Sequence, residues 1–276
     1  MSVEHSLLGK DTNYPTEYQP DILFPISREQ SREKYSHVEG IRLGKDWWHV
    51  FEISWLNAYG IPQVAIGRMT LPATSENLIE SKSLKLYFNS MNFTQFESKE
   101  AFIKTVEQDL STAAKADVTL TLFQVNDLAI SQPQGFCIDH LHPERLENYP
   151  NAGLLKLDEN ALSVDIEDES EIQLFSHLLR SNCPVTGQPD WGTVFIRYQG
   201  KKPCYQSILA YIISYRQHNG FHEQCVEQIY ADIWQILQPK KLMVYATYTR
   251  RGGLDINPCR VSHLEWMPNP IRLARQ

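Results

Sequence analysis

Two stretches of the chain lie over one another without a gap. "ESKSLKLYFNSMNFTQFE", Glu80 to Glu97, set against "YQSILAYIISYRQHNGFH", Tyr205 to His222, places Ser83 on Ile208, Tyr87 on Ile212 and Phe96 on Phe221. The likeness lies in the pattern of apolar and polar positions more than in identity. Such self-similarity marks an internal duplication, and it restricts the fold: each half must build the same unit. The flanks agree. "DWWHVFEISWLN", "PQVAIGRMTLP" and "DVTLTLFQV" read as strands in the first half, and "GTVFIRYQG" and "KLMVYATYTRRGG" in the second. Phe102, Val106 and Leu110 form one helical stripe, and Val226, Ile229, Ile233 and Leu237 form another.

Three segments are less regular. Alternation of Leu84, Leu86 and Phe88 predicts a strand over "SKSLKLYFNSMNF", and "CYQSILAYIISYRQ" reads as a longer, buried strand. "ESEIQLFSHLLRSN" reads as a helix. The expectation is an α+β chain of two antiparallel ββ…α…β units. Residues 1–45 form an N-terminal arm with little regular structure. Residues 46–130 form the first unit, 131–165 a Pro- and Asn-rich connection, and 166–276 the second unit.

Composition excludes several classes. The 276 residues are 42% apolar and 21% charged, enough for a packed core. A net charge of −7 disfavours polyanionic nucleic acid as a direct partner. There is no run of 18 apolar residues and no signal-like N-terminus, so neither a membrane span nor export is expected. The five cysteines are odd in number, widely spaced and without a CxxC pair, which suits free thiols in a reducing cytoplasm.

Four stretches hold candidate chemistry. In "SNCPVTGQPDWG", Cys183 lies in a Pro/Gly-rich turn with Asp190 seven residues on. An accessible thiolate there is a nucleophile, and the carboxyl a proton donor. The plainer reading is a buried small side chain and a turn former. In "FHEQC", Glu223 suits a helix start electrostatically. Alternatively, its carboxylate accepts N–H groups from a ligand edge while His222 moves a proton. His218, His222 and Cys225 are a third option as zinc ligands, at a spacing unlike standard sites. "ESKSLKLY" alone is an amphipathic segment with a charged start. In "YTRRGGLDINP", Arg250 and Arg251 beside two glycines suit a phosphate. No GxGxxG follows a strand.

Together the four stretches resemble the motif set of the NADPH-dependent 7-cyano-7-deazaguanine reductases, the nitrile reductases of queuosine biosynthesis. The first motif, "ESKSLKLY", separates that family from its relatives of the GTP cyclohydrolase I type. The resemblance runs from Trp47 to Arg260, in the order of the long, two-module form. It implies two tunnelling-fold modules per chain, with antiparallel sheets closing into a barrel and helices outside, and assembly into a homodimer. It implies reduction of the nitrile to a primary amine with two NADPH, on a small 7-deazapurine, without metal and without direct contact to nucleic acid or membrane. By resemblance, Cys183 is the nucleophile of a covalent thioimide, Asp190 the proton donor, and His222 an aid to proton transfer over the substrate. Glu80 and Glu223 hold the deazaguanine, with Ile79 and Ser81 beside Glu80. Ser81, Lys82, Arg251 and Gly252 contact NADPH. The ungapped overlay places Glu97 opposite His222 and Tyr205 opposite Glu80, and leaves Cys183 without a counterpart. One complete site then draws on both halves, and the turn is where Cys183 reaches a ligand. A zinc-dependent cyclohydrolase and a non-catalytic purine-binding module are the alternatives.

Overall fold

A computed structural model describes residues 14–159 and 171–276. They fall into two compact units, each with its own core. The first holds 14–33, Lys45–Ile130 and Arg250–Ile256; the second holds Lys34–Gly44, Asn257–Gln276 and the described part of Ser131–Thr249.

In the first unit β1 (Pro25–Ser27) pairs antiparallel with Asn77–Ile79, and α1 (Glu29–Arg32) follows β1. The long strands β2 (Gly44–Leu56) and β3 (Pro62–Pro72) form an antiparallel hairpin. Then come β4 (Asn77–Ile79), α2 (Ser81–Ser90), α3 (Lys99–Ala114) and β5 (Thr119–Phe123), which pairs with β3. A bulge between Val50 and Ile53 lets Trp48, Val50, Ile53 and Trp55 all face the core. The α3 stripe of Phe102, Val106 and Leu110 is fully buried. Ser98 caps this helix by accepting from Ala101 N at 3.1 Å.

The second unit contains β6 (Phe136–Cys137), β7 (Glu171–Asn182), β8 (Pro189–Gln199), α4 (Tyr205–Ile213), α5 (His222–Leu237) and β9 (Lys241–Tyr248). β10 (Leu254–Val261) begins among residues of the first unit and ends among those of the second, where it pairs with β9. β6 is parallel to β7, and β7, β8 and β9 run antiparallel in sequence. Ile138, Leu154 and Leu155, from the Pro- and Asn-rich stretch, pack in this unit's core. Residues 160–165 of that stretch, and 1–13 of the chain, lie outside the described residues.

Three expectations are overturned. "SKSLKLYFNS" is helix α2, because Leu84, Tyr87, Phe88 and Met91 also sit at helical spacing and all are buried. Leu86 is buried as well, and this produced the apparent alternation. "YQSILAYII" is helix α4, in which every residue from Ser207 to Ile212 is buried, so periodicity carries no signal. "EIQLFSHLLRSN" is strand β7. A bulge between Ser176 and Leu179 turns both Leu174 and Leu179 to the core, although five positions along an unbroken strand point to opposite faces. The stretch read as an arm supplies β1 and α1.

The two units repeat the succession of two strands, two helices and a strand. Their internal bonds fix the register one residue away from the ungapped overlay. Ser83 Oγ donates to Glu80 O, and Ser207 Oγ to Cys204 O, each at 2.7 Å. Ser90 Oγ donates to Tyr87 O, and Ser214 Oγ to Tyr211 O, each at 2.6 Å. Tyr87 donates to Asp109 at 2.7 Å, and Tyr211 to Asp232 at 2.5 Å. Ser83 therefore corresponds to Ser207, Tyr87 to Tyr211, and Glu80 to Cys204 rather than Tyr205.

Candidate active site

The β7–β8 hairpin carries the cysteine. Cys183 follows the last residue of β7, and its N–H donates to Gln188 O at 2.8 Å. Gly187 N donates back to Cys183 O at 3.0 Å, with φ +65° at Gly187, a conformation glycine adopts without strain. Residues 184–189 are exposed, yet Cys183 is 3% and Asp190 6% exposed. The turn exposes the loop between these two residues and turns both inward. The expectation of an accessible thiol is thus corrected.

A second clamp links this hairpin to α5. Asn182 N donates to His218 O at 2.8 Å, and Gly220 N donates to Asn182 O at 3.1 Å. Two residues on, α5 begins at His222, with Gln224 Oε1 accepting from Phe221 N at 3.2 Å. His222 and Glu223 are buried in the first turn, where the helix dipole favours a carboxylate. His222 Nε2 lies 3.3 Å from Asp190 Oδ2, and its Nδ1 has no partner among the described residues. The Tyr248 ring stacks on the imidazole at 3.8 Å and 3°. Cys225, one turn further along, is fully buried. Burial pushes its thiol up to about 12. The second unit thus gathers Asp190 of the hairpin, His222 of the helix start and Tyr248 at the end of β9, and the same hairpin and helix start carry Cys183 and Glu223.

The first unit positions the other predicted residues. Glu80 is the N-cap of α2: Oε1 accepts from Lys82 N at 2.7 Å and Oε2 from Ser83 N at 2.8 Å. It is 1% exposed, not part of a solvated face. Burial holds its carboxyl above the usual glutamate range, against the pull of those two N–H groups. The Ser81 side chain also hydrogen-bonds this carboxyl. Ile79 is buried, and Ser81 and Lys82 are half-buried. Arg251 and Gly252 sit in the turn between β9 and β10. Arg251 N donates to Leu254 O at 2.8 Å, with φ +64° and +85° at Gly252 and Gly253. Lys85 of α2 crosses this turn, its Nζ 3.2 Å from where a Gly252 Cβ would be. Glu52, Lys85, Phe88, Phe93, Arg250 and Gly252 line a cavity of about 940 Å³ there.

A hairpin closed in the same way, with a loop one residue shorter, recurs in the first unit. Asn57 N donates to Ile61 O at 3.0 Å and Gly60 N to Asn57 O at 2.9 Å. Leu56 N donates to Thr94 O and Phe96 N to Leu56 O, each at 2.9 Å. Asn57 thus stands where the second unit has Cys183. Ser98 and Phe221 both cap the second helix of their unit, so Lys99, not Glu97, corresponds to His222 and Glu100 to Glu223. Among the described residues no group of three or more His, Cys, Asp or Glu is arranged for a metal ion. No helix there is long and apolar enough to cross a membrane. Sequence reading missed Tyr248, since nothing in the sequence links it to His222. It also missed Lys85, which lies inside a quoted motif.

A family model described as "Nitrile reductase, 7-cyano-7-deazaguanine-reductase N-term" matches residues 14–122, and one described as "QueF-like protein" matches residues 189–265. These matches put the chain among the nitrile reductases, a class of oxidoreductase. Proteins named NADPH-dependent 7-cyano-7-deazaguanine reductase are 79% identical in Acinetobacter baumannii and 73% in Acinetobacter baylyi, each over the whole of both chains. One in Psychrobacter cryohalolentis is 49% identical, again over the whole of both chains. The chain belongs to the family of NADPH-dependent 7-cyano-7-deazaguanine reductases.

Proposed function

We propose that the protein reduces the nitrile of 7-cyano-7-deazaguanine to 7-aminomethyl-7-deazaguanine, a step of tRNA queuosine biosynthesis, through a thioimide on Cys183. The observation that carries this is the buried Asp190–His222 pair, set on the same hairpin and helix start as Cys183. The sulfur of Cys183 adds to the nitrile carbon, and one C–N π bond breaks. Asp190 delivers a proton to the nitrogen as negative charge develops there. The proton leaving the Cys183 thiol replaces it on Asp190, steadied by His222 Nε2. Burial of all three excludes water, which strengthens each interaction.

Glu223 and Glu80 accept N–H groups of the deazaguanine, with Ile79 and Ser81 beside Glu80. Ser81, Lys82, Arg251 and Gly252 receive NADPH. The residues fit a phosphate-bearing dinucleotide: two glycines at positive φ bring backbone close, and Lys85 and Arg250 add positive charge along the adjoining cavity. NADPH supplies hydride. The repeated strand–helix succession supports two tunnelling-fold modules per chain. Homodimeric assembly is part of the same proposal.

The test is to mix the protein with 7-cyano-7-deazaguanine without NADPH and read its intact mass. A covalent increase is expected, and Cys183→Ala is expected to lose both the increase and turnover. Near-normal nitrile reduction by Cys183→Ala would sink the mechanism.

A further inference from the structure

Tyr248 ends β9, and strand pairing does not hold its backbone on the β10 side. β9 and β10 pair only where Met243, Val244 and Tyr245 face Val261, Arg260 and Cys259. Beyond that point two side-chain amides take over. Tyr248 N donates to Asn257 Oδ1 at 3.3 Å, and Tyr248 O accepts from Gln276 Nε2 at 3.1 Å. The same Nε2 donates to Asn257 Oδ1 at 2.7 Å, while Gln276 Oε1 accepts from Leu273 N at 2.8 Å. Gln276 is 4% exposed and Asn257 fully buried. The segment that delivers Gln276 is anchored by Ile271 N to Tyr245 OH at 3.3 Å and by Arg275 Nη1 to His177 O at 3.0 Å. On the other side of Tyr248, Gly192 leaves room for the ring: a Cβ there would lie 3.2 Å from a ring carbon.

We propose that Gln276, acting through Asn257 and Tyr248, is a positioning residue for His222. The imidazole has one polar partner, Asp190 at 3.3 Å, and its Nδ1 has none among the described residues. A ring held at one nitrogen turns about that contact. The flat Tyr248 ring at 3.8 Å stops the turn, and stacking alone lets two rings slide. The Gln276 amide removes the slide by fixing the Tyr248 carbonyl and the Asn257 side chain together. A residue distant in sequence thereby sets the plane of the imidazole. The proposal rests on His222 belonging to the active site.

The experiment uses the full chain with Gln276→Ala and Gln276→Glu. The glutamate keeps the size and the acceptor for Leu273 N, but faces Tyr248 O and Asn257 Oδ1 with an oxygen. Histidine-labelled, ligand-free protein is examined by NMR, with His222→Gln to assign the ring signals. Both variants are expected to lose the shift that the Tyr248 ring current imposes on His222. Covalent capture of the nitrile is expected to slow about tenfold to a hundredfold, the scale of a misplaced catalytic group. Unmoved His222 signals in both variants overturn the proposal, as do moved signals with an unchanged capture rate. If Gln276→Ala does not fold, Gln276→Glu decides. If the wild type captures no nitrile, the functional reading fails, while the NMR comparison still decides whether Gln276 positions the ring.

Discussion

Asp190→Asn separates catalysis from architecture. The change keeps side-chain size and removes the transferable proton. Asp190 is 6% exposed, its strand position is fixed by pairing with Ser181, and its Oδ2 lies 3.3 Å from His222 Nε2. An asparagine still bonds to that nitrogen through its oxygen or its amide, so the folding cost is about 1 kcal/mol at most. For a chain of this size that lowers the unfolding midpoint by roughly 2–4 °C. Loss of the general acid slows the proton-dependent step about 10²- to 10⁴-fold, which corresponds to roughly 3–5 kcal/mol of barrier. The rate effect should therefore exceed the stability effect severalfold. The assay is the growth of adduct mass in a quenched time course without NADPH, with thermal unfolding measured on the same samples. Adduct formation within tenfold of wild type refutes Asp190 as proton donor. Equal losses of stability and rate would make the pair a structural contact.

Glu80→Gln and Glu223→Gln, each on a Cys183→Ala background, are expected to weaken nitrile binding by about 1–3 kcal/mol in calorimetric titration, since ligand donors are left unpaired in a desolvated pocket. The exposed Glu100→Gln is the internal control, because Glu100 corresponds to Glu223; equal losses in all three would remove the carboxylates from the site. Burial holds the Asp232 carboxyl above its usual range, so its ionisation opposes folding. The stability it contributes is full below the unfolded pKa and is lost as pH rises through the folded one. Asp232→Asn should thus gain on wild type across that interval in pH-dependent denaturation, and a variant that instead loses ground to wild type as pH rises would contradict the assignment. Turnover is expected to survive exhaustive chelation, whereas loss of activity restored by zinc would favour a cyclohydrolase-like site.

Much of this was legible in the sequence, and the failures have physical causes. β2 and β3 show clear alternation, and α3 and α5 a clear stripe, because one face of each meets the core. α2 and α4 are buried on several sides, so their periodicity fades and the β-branched residues of α4 suggest a strand. β7 reads as a helix because its bulge breaks the alternation. The overlay slipped by one residue because apolar positions dominate the pattern. The informative matches are polar: Ser83 with Ser207, Ser90 with Ser214, and Tyr87 with Tyr211. Cys183 and Asp190 were legible as a pair bracketing a turn. Their burial was not, since it depends on α5 arriving from forty residues away.

Asn57 carries a lesson about how such a chain changes. The hairpin it occupies closes with a similar pair of backbone bonds to the hairpin that holds Cys183, over a loop one residue shorter. Those bonds come from amides and carbonyls that every non-proline residue possesses, so the loop does not need the thiol to form. A nucleophile on such a loop is interchangeable. The chain holds two hairpins of this kind, one with sulfur at this position and one without. The asparagine oxygen also gains two local bonds, to Tyr59 N at 2.9 Å and Ile61 N at 3.0 Å. On the proposed mechanism, reactivity is a fitting on a frame that forms without it, as the Asn57 hairpin does.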